Sequence, residues 1–463
     1  MLPIVTPDEM RTVDAEASEP AEVLIARAGS AIARAAVLLL GGTYGRTVNI
    51  IAGKGNNGAD GRVAGERLQA RGVKVRVFDA DGCPPTLPTA DLVIDAAYGT
   101  GFHGAWRPPD VGGAPVLAVD VPSGVDALTG DVGGEVLPAI ATITLGAYKP
   151  GLLLPPGNGF AGAVQVAEIG LGGAAAERAS AHLVQRTDVA QWLPHREATA
   201  HKWRAAVRVV AGSPGMSGAA ALVALGAMRA GAGIVHLSTP GGLLADVPTE
   251  VVQRRLPGKG WADELLGSLD RFHSLVIGPG LGRADNVAEQ TRLVVLQAPV
   301  PVVIDGDGLF AMAWNVQDAA ALLRRRTTPT VLTPHDGEFA LLTGATPGAD
   351  RFHAARQLAA DTGCVVLLKG STTVVAEPTG CVLVATTGDA RLATAGSGDV
   401  LAGIVGALLA AGVPTFQAAA AGAWLHGEAA NRAPAFGMVA GDIADHLPVV
   451  WGSVWDSVLA ELL

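Results

Sequence analysis

The sequence predicts an α/β protein made of two domains. Two observations carry that prediction. Apolar, β-branched runs repeatedly end in a short loop of Gly, Asp or Ser and then give way to a helical pattern. That rhythm breaks once, in the stretch 171–203, which has no strand signal in its first half and mixes its charges. At 463 residues with 49% hydrophobic and 16% charged side chains, the chain is long enough for two or three domains and too apolar for disorder.

In the first half, "TVNIIAG" (47–53) reads as a strand, "KGNNGADG" as a loop and "RVAGERLQARG" as a helix. "KVRVFDA" is the next strand, and "DLVIDAAYGTG" and "VLAVDVPSG" each end an apolar strand in an Asp-bearing loop. Alternation of this kind predicts a parallel sheet covered by helices, with ligands beyond the carboxyl ends of the strands. The boundary is placed near 175–185, giving domains 1–178 and 185–463. A second series then runs through "AVRVVAGS", "GIVHLST", "SLVIGPGLG", "PVVIDGDGL", "PTVLTPHDGE", "CVVLLKGSTTVVA" and "CVLVAT" to "TAGSGDVLAG".

Composition excludes several roles. The net charge is −10, with no basic block beyond Arg324–Arg326, so nucleic acid and anionic membrane are not expected partners. Cys83, Cys364 and Cys381 fit neither a metal knuckle nor a disulfide framework, which points to a reducing compartment. The N-terminus lacks a signal-peptide core. The longest apolar run, Val400 to Val413, is about 14 residues, short of a bilayer span. A soluble, cytoplasmic protein is the expectation. Lysine is scarce, limited to Lys54, Lys74, Lys149, Lys202, Lys259 and Lys369.

Each candidate site has a plain structural reading beside the chemical one. In "AGSGD", Gly396 and Gly398 let a loop turn its N–H groups outward at the positive end of a helix, an anion hole in the making. Asp399 is then a candidate base for a hydroxyl that attacks a phosphoryl group, or simply a helix cap. His335 and Glu338 follow one strand, Lys369 ends another, Gly278–Gly282 a third, and Asp305 and Asp307 a fourth. Singly these are caps and surface residues. Together they converge on one sheet edge.

In the first half, Asn56 and Asn57 offer amide donors and carbonyl acceptors in a tight turn. With Asp95 and Ser123 they form an oxygen-only set, suited to an alkali or alkaline-earth ion. Asp120 ends the strand "VLAVD" as an acid/base candidate or a cap.

The order of "VVAGSPGMSGAAALVALGAMRAGAGIV", "IGPGLG", "TPHDGE", "LKGSTTVV" and "TAGSGDVLAG" resembles the ADP- or ATP-dependent NAD(P)H-hydrate dehydratases, across nearly all of 205–460. "TPDEMRTVD", "GKGNNGADGR", "DLVIDAAYGTG" and "AVDVPSGVDALTG" resemble the NAD(P)H-hydrate epimerases, across about residues 1–170. Three departures stand out: Ala59 replaces a usual glycine, "AYGTG" stands for "LLGTG", and "HKW" lacks a glycine after Lys202.

The resemblance implies two three-layer αβα domains, the first Rossmann-like and the second ribokinase-like. It implies epimerisation of R and S hydrates and ADP-dependent dehydration of the S form, with ADP against ATP left open. Potassium would sit on Asn57, Asp95 and Ser123. The hydrate would meet Asn56, Asn57, Gly58, Ala59, Asp60, Gly99, Thr100, Gly101, Phe102, His103, Gly104, Ala105 and Asp120 in the first domain. In the second it would meet Ala219, Gly282, His335 and Asp399. Lys369, Gly370, Ser371, Thr372, Thr373 and Gly398 would hold the nucleotide, with Mg²⁺. Asp120 and Asp399 would be catalytic. A homo-oligomer is expected, of unstated size. The rival reading is a vitamin or sugar kinase with an N-terminal ligand-binding domain.

Overall fold

The computed structural model describes residues 1–195, 197–314 and 317–462, with side chains through 455. It divides into two compact units, Leu2–His182 and Leu183–Leu463, the latter joined by Met1.

The first unit holds a six-stranded sheet. Its strands are β1 (Thr47–Ala52), β2 (Lys74–Asp79), β3 (Leu92–Ala96), β4 (Val116–Val119), β5 (Ala141–Leu145) and β6 (Ala163–Ala167). They run parallel in the order β2-β1-β3-β4-β5-β6. Strand order reverses between β1 and β3, so the crevice for a ligand opens at their carboxyl ends. β3 and β4 are buried throughout, which explains their unbroken apolar runs.

Helix α1 (Pro7–Ala15) opens with a Thr6–Glu9 capping box and Pro7 at its first turn. Helix α2 (Ala21–Leu40) packs on α3 (Asn56–Gln69). The expectation that no segment reaches bilayer length needs correcting. α2 has 20 residues, and an 18-residue stretch of it has a mean hydropathy of 1.8. Arg27 and Arg34 interrupt its apolar run, which hides its length from a search for continuous runs. Ala28, Ile32, Ala36 and Leu40 bury one side of it.

The second unit holds β7 (Ala206–Val210), β8 (Ile234–Ser238), β9 (Val252–Gln253), β10 (Ser274–Ile277), β11 (Val302–Ile304), β12 (Thr330–Leu332), β13 (Val365–Leu368), β14 (Thr373–Ala376) and β15 (Val382–Ala385). Their order is β15-β14-β13-β12-β11-β10-β7-β8-β9, and the switch falls between β7 and β10. β13–β14 and β14–β15 are antiparallel, unlike the rest. "CVVLLKGSTTVVA" is thus a hairpin and not another strand-loop-helix step, with Lys369 at the exit of its first strand, because four residues leave no room for a helical crossover. A short strand, Ala181–Leu183, also lies in the stretch that carries no strand signal. Three residues are too few to leave a periodic trace.

Helix α4 (Ser217–Arg229) and the almost wholly buried α9 (Ser397–Ala410) cross at unusually close range. A Cβ on Gly226 would sit 2.5 Å from the Val400 carbonyl, and one on Gly403 would sit 2.2 Å from that of Val223. The backbones touch because neither position has a side chain. That contact fixes where α9 begins, and so fixes the "AGSGD" loop.

Candidate functional sites

In the first unit, β1 runs into α3 through a short turn that folds the first helical turn back onto the strand exit. A Cβ on Gly58 would lie 1.9 Å from the Gly53 carbonyl oxygen. Ala59 is helical, so the alanine in place of the usual glycine costs nothing. Asn57 faces inward. Both its Nδ2 and its Oδ1 are buried without a partner, a costly state for an amide.

Asp120 follows β4 and is the one non-glycine residue with positive φ, 67°, among the described residues. Its Oδ2 accepts from Thr100 N at 3.0 Å and Thr100 Oγ1 at 2.5 Å. Its Oδ1 accepts from Lys149 Nζ at 2.5 Å, and that ammonium also donates to the Leu145 carbonyl at 2.7 Å. Lys149 is 1% exposed. Burial alone would raise the Asp120 carboxyl; Lys149 and Thr100 outweigh it and hold the carboxyl below its ordinary value. Lys149 was not among the expected site residues, although it too lies just past a strand end.

Asp60 goes the other way. Burial, then the charges of Asp120 and Asp14, push it up to about 8. Asp14, on α1, is itself raised by burial, against the pull of Lys149. A Cβ on Gly99 would meet Asp120 Oδ2 at 3.0 Å and Asn57 Cγ at 3.2 Å, so these three residues share one spot. Asp95 is fully buried. Its Oδ1 accepts from Ser123 Oγ at 2.6 Å and its Oδ2 from Ser123 N at 2.9 Å. Of the loop Gly99–Ala105, Thr100 reaches Asp120, whereas Phe102 turns into an apolar cluster with Tyr98 and Trp106. His103, Gly104 and Ala105 are exposed, as are Gly101 and Asn56, while Gly58 is buried.

In the second unit, Gly396 at φ 87° caps α9, and a side chain there would be strained. Gly398 is already helical, so space, not φ, decides its identity. A Cβ there would lie 3.3 Å from Lys369 Nζ. Lys369 pairs with Asp305 Oδ1 at 2.8 Å and Glu338 Oε2 at 3.4 Å. Burial lowers its pKa, but the two carboxylates outweigh that and raise it. Asp399 is pushed up to about 7, first by burial, then by Asp305, with Lys369 opposing and Glu338 and Asp307 adding. Asp399, Lys369, Asp305 and Glu338 therefore form one electrostatic cluster at the mouth of α9.

Behind the loop, buried His426 is driven down to about 4, chiefly by burial. It is neutral near pH 7 and its Nε2–H donates to the Ser397 carbonyl at 2.9 Å. No sequence motif flagged it.

His335 is exposed and acts as an N-cap, its Nδ1 accepting from Gly337 N at 3.0 Å. Its capping reading holds, and its Nε2 lies 3.5 Å from Glu338 Oε1. Gly282 N donates to Asp307 Oδ2 at 2.8 Å, and Ala219 packs under Gly280. Gly370, Ser371, Thr372 and Thr373 form the turn and start of β14 beside Lys369. Among the described residues, no three His, Cys, Asp or Glu side chains converge as a metal cage.

Two family models match the chain. One, described as NAD(P)H-hydrate dehydratase, covers residues 207–448. The other, YjeF-related protein N-terminus, covers 21–85 and 79–151. A bifunctional NAD(P)H-hydrate repair enzyme of Moorella thermoacetica is 36% identical over 98% of both chains. One of Mycobacterium leprae is 37% identical over 89% of this chain and 90% of its own. Among solved structures, the ADP/ATP-dependent NAD(P)H-hydrate dehydratase of Bacillus subtilis, co-crystallized with ATP/Mg²⁺, is 30% identical. It covers 58% of this chain and 97% of its own, with a TM-score of 0.51. A ribokinase-like superfamily protein of Enterococcus faecalis shares the fold at 21% identity and a TM-score of 0.53.

Proposed function

The chain belongs to the bifunctional NAD(P)H-hydrate repair enzymes, and from that premise we propose how its two units divide the chemistry. The first unit is an isomerase that interconverts the R and S hydrates. The second is a lyase that returns the S hydrate to NAD(P)H while ADP becomes AMP and phosphate. Whole-length relatives bearing the repair name favour this reading over a vitamin or sugar kinase.

The hydrate carries a hydroxyl on ring carbon 6, beside the ring nitrogen. In the first unit, Asp60 with a pKa of about 8 holds a proton at pH 7 and can give it to the departing hydroxyl. The nitrogen lone pair expels water, and water returns to either face. Asp120, kept ionised by Lys149, takes the proton from the returning water. Two carboxylates with pKa values driven apart fit opposite acid and base roles.

The oxygen-only set of Asn57, Asp95 and Ser123 fits potassium, and the orphaned Asn57 Oδ1 is the donor that an ion would satisfy. The ion would supply a fixed positive charge beside the hydrate.

In the second unit, Asp399 accepts the proton of the C6 hydroxyl as its oxygen attacks the β-phosphorus of ADP, and AMP leaves. The ring nitrogen then expels phosphate, a proton leaves carbon 5, and the double bond reforms. Gly396, Gly398 and the start of α9 receive the phosphoryl oxygens, with Lys369 beside them. Lys369–Thr373 and Gly398 hold the nucleotide; Ala219, Gly282 and His335 meet the hydrate. A Mg²⁺ arriving on the nucleotide phosphates needs few protein ligands and would neutralise developing charge. We take the enzyme to be cytoplasmic and homo-oligomeric.

The observation that carries this reading is the raised pKa of Asp399 beside Lys369 at the glycine-opened start of α9. The test supplies hydrated NADH with ADP or ATP and follows dihydronicotinamide absorbance. Recovery of the absorbance supports the proposal. A stable phosphorylated alcohol with no recovery would make the protein a kinase. Asp120→Ala should stop epimer interconversion yet leave dehydration intact.

A further inference from the structure

The opposite face of the second sheet carries a feature that the repair chemistry does not use. β7 is an inner strand between β8 and β10. Val207 and Val209 enter the core shared with α4 and α9, so the two-residue repeat turns Arg208 to the other face. Arg208 is 3% exposed and stands in register with His236. Its Nη2 donates to Ser238 Oγ at 2.8 Å, and its Nε is buried with no partner.

Arg208 lines a cleft of about 450 Å³ with Arg254, Arg255 and Arg271. Among the described residues none of these four guanidinium groups is in a salt bridge, whereas Arg204, Arg229 and Arg283 nearby in sequence all are. Glu264 and Asp270 also line the cleft, so two carboxylates face four permanent cations. His236 adds no charge near pH 7, being lowered to about 4 by burial and then by Arg208. The cations are also pre-set: the Arg271 guanidinium lies 3.7 Å from the Trp203 ring centre, and Arg208 lies 5.6 Å from that of Phe272. A buried guanidinium with an unmet donor, facing further unpaired guanidinium groups, lacks a multivalent acceptor.

We propose that this cleft binds a small polyanion of the phosphate class, held by Arg208, Arg254 and Arg271. The site is distinct from the Asp399 cluster. α9, which carries Asp399, packs on the Val207 face, where a Cβ on Gly406 would lie 3.7 Å from Val207 Cγ1.

The full-length protein is treated with an arginine-selective dicarbonyl reagent across a series of pyrophosphate concentrations, and labelling is read residue by residue by mass spectrometry. Local readout separates this cleft from phosphate bound at the nucleotide site. Exposed Arg254 and Arg271 should be protected in a saturable way, while Arg46 in the first unit stays unprotected. Arg208→Met should weaken that protection about tenfold, the equivalent of one charge-assisted hydrogen bond. Should Arg208→Met fail to fold, Arg254→Gln read at Arg271 gives the same decision from a surface position. No protection up to about 10 mM pyrophosphate, where no useful affinity remains, overturns the proposal. So does equal protection in the variants.

Discussion

If Asp399 is the base of the dehydration, the pH profile of kcat/KM should carry its signature. That parameter reports the free enzyme, so the ligand-free cluster is the relevant state. With a pKa of about 7, roughly one-tenth of Asp399 is ionised at pH 6. kcat/KM should therefore rise about tenfold per pH unit below 7 and flatten above it. The informative perturbation is Asp305→Asn. After burial, Asp305 is the largest influence raising Asp399. At an effective dielectric of about 20 a neighbouring like charge costs on the order of 1–4 kcal/mol, and one pKa unit is about 1.4 kcal/mol. Loss of that charge also leaves Lys369 with one carboxylate fewer, which acts in the same direction. The midpoint should move down by about one pH unit or more, so activity at pH 6, taken relative to each enzyme's own plateau, rises about fivefold. The assay is initial-rate recovery of dihydronicotinamide absorbance from pH 5 to 9. A wild-type midpoint below pH 5, or a limb that stays at pH 7 in Asp305→Asn, refutes the assignment.

Four further outcomes are expected. Asp399→Asn should lose about 10²–10⁴ in dehydration. It should also melt higher than wild type at pH 8, and by a clearly smaller margin at pH 5. The native carboxyl keeps a proton that the unfolded chain has lost between about pH 4 and 7, so wild-type stability falls as pH rises through that window; calorimetry at the two pH values checks the sign. Lys149→Met strands the buried Asp120 carboxylate and should cost about 3–5 kcal/mol by denaturant melts. Adding Asp120→Asn should restore stability but not epimerisation. Replacing potassium by lithium should slow epimer interconversion, and Asn57→Leu should abolish any difference between the two salts; an unchanged difference removes Asn57 from the ion site. Gly398→Ala puts a methyl 3.3 Å from Lys369 Nζ, so the nucleotide KM should rise by about tenfold while epimerisation is untouched.

The strands and the Asp399 loop were legible because each rests on a local pattern: an apolar run, then a loop rich in Gly and Asp. What a single sequence hides is which strand ends become neighbours. Asp120 and Lys149 lie 29 positions apart in the chain, yet β4 and β5 are adjacent, and their exits bring carboxylate and ammonium to 2.5 Å. Nothing about "AYKPG" announces that contact, although the strand-exit rule that selected Asp95 and Asp120 applies equally to the residues after Leu145. His426 was invisible for a related reason. It sits inside an alanine-rich buried helix, and its partner is a backbone carbonyl, which no side-chain pattern can mark. Arg208 is the reverse case, since its signal was local and plain. A charged residue in the middle of "AVRVV" contradicts an inner strand buried on both faces. Such a contradiction persists in a folded protein only when something compensates the charge. The single bond to Ser238 is too little for a guanidinium with five donors, and that shortfall is why the cleft calls for an anion.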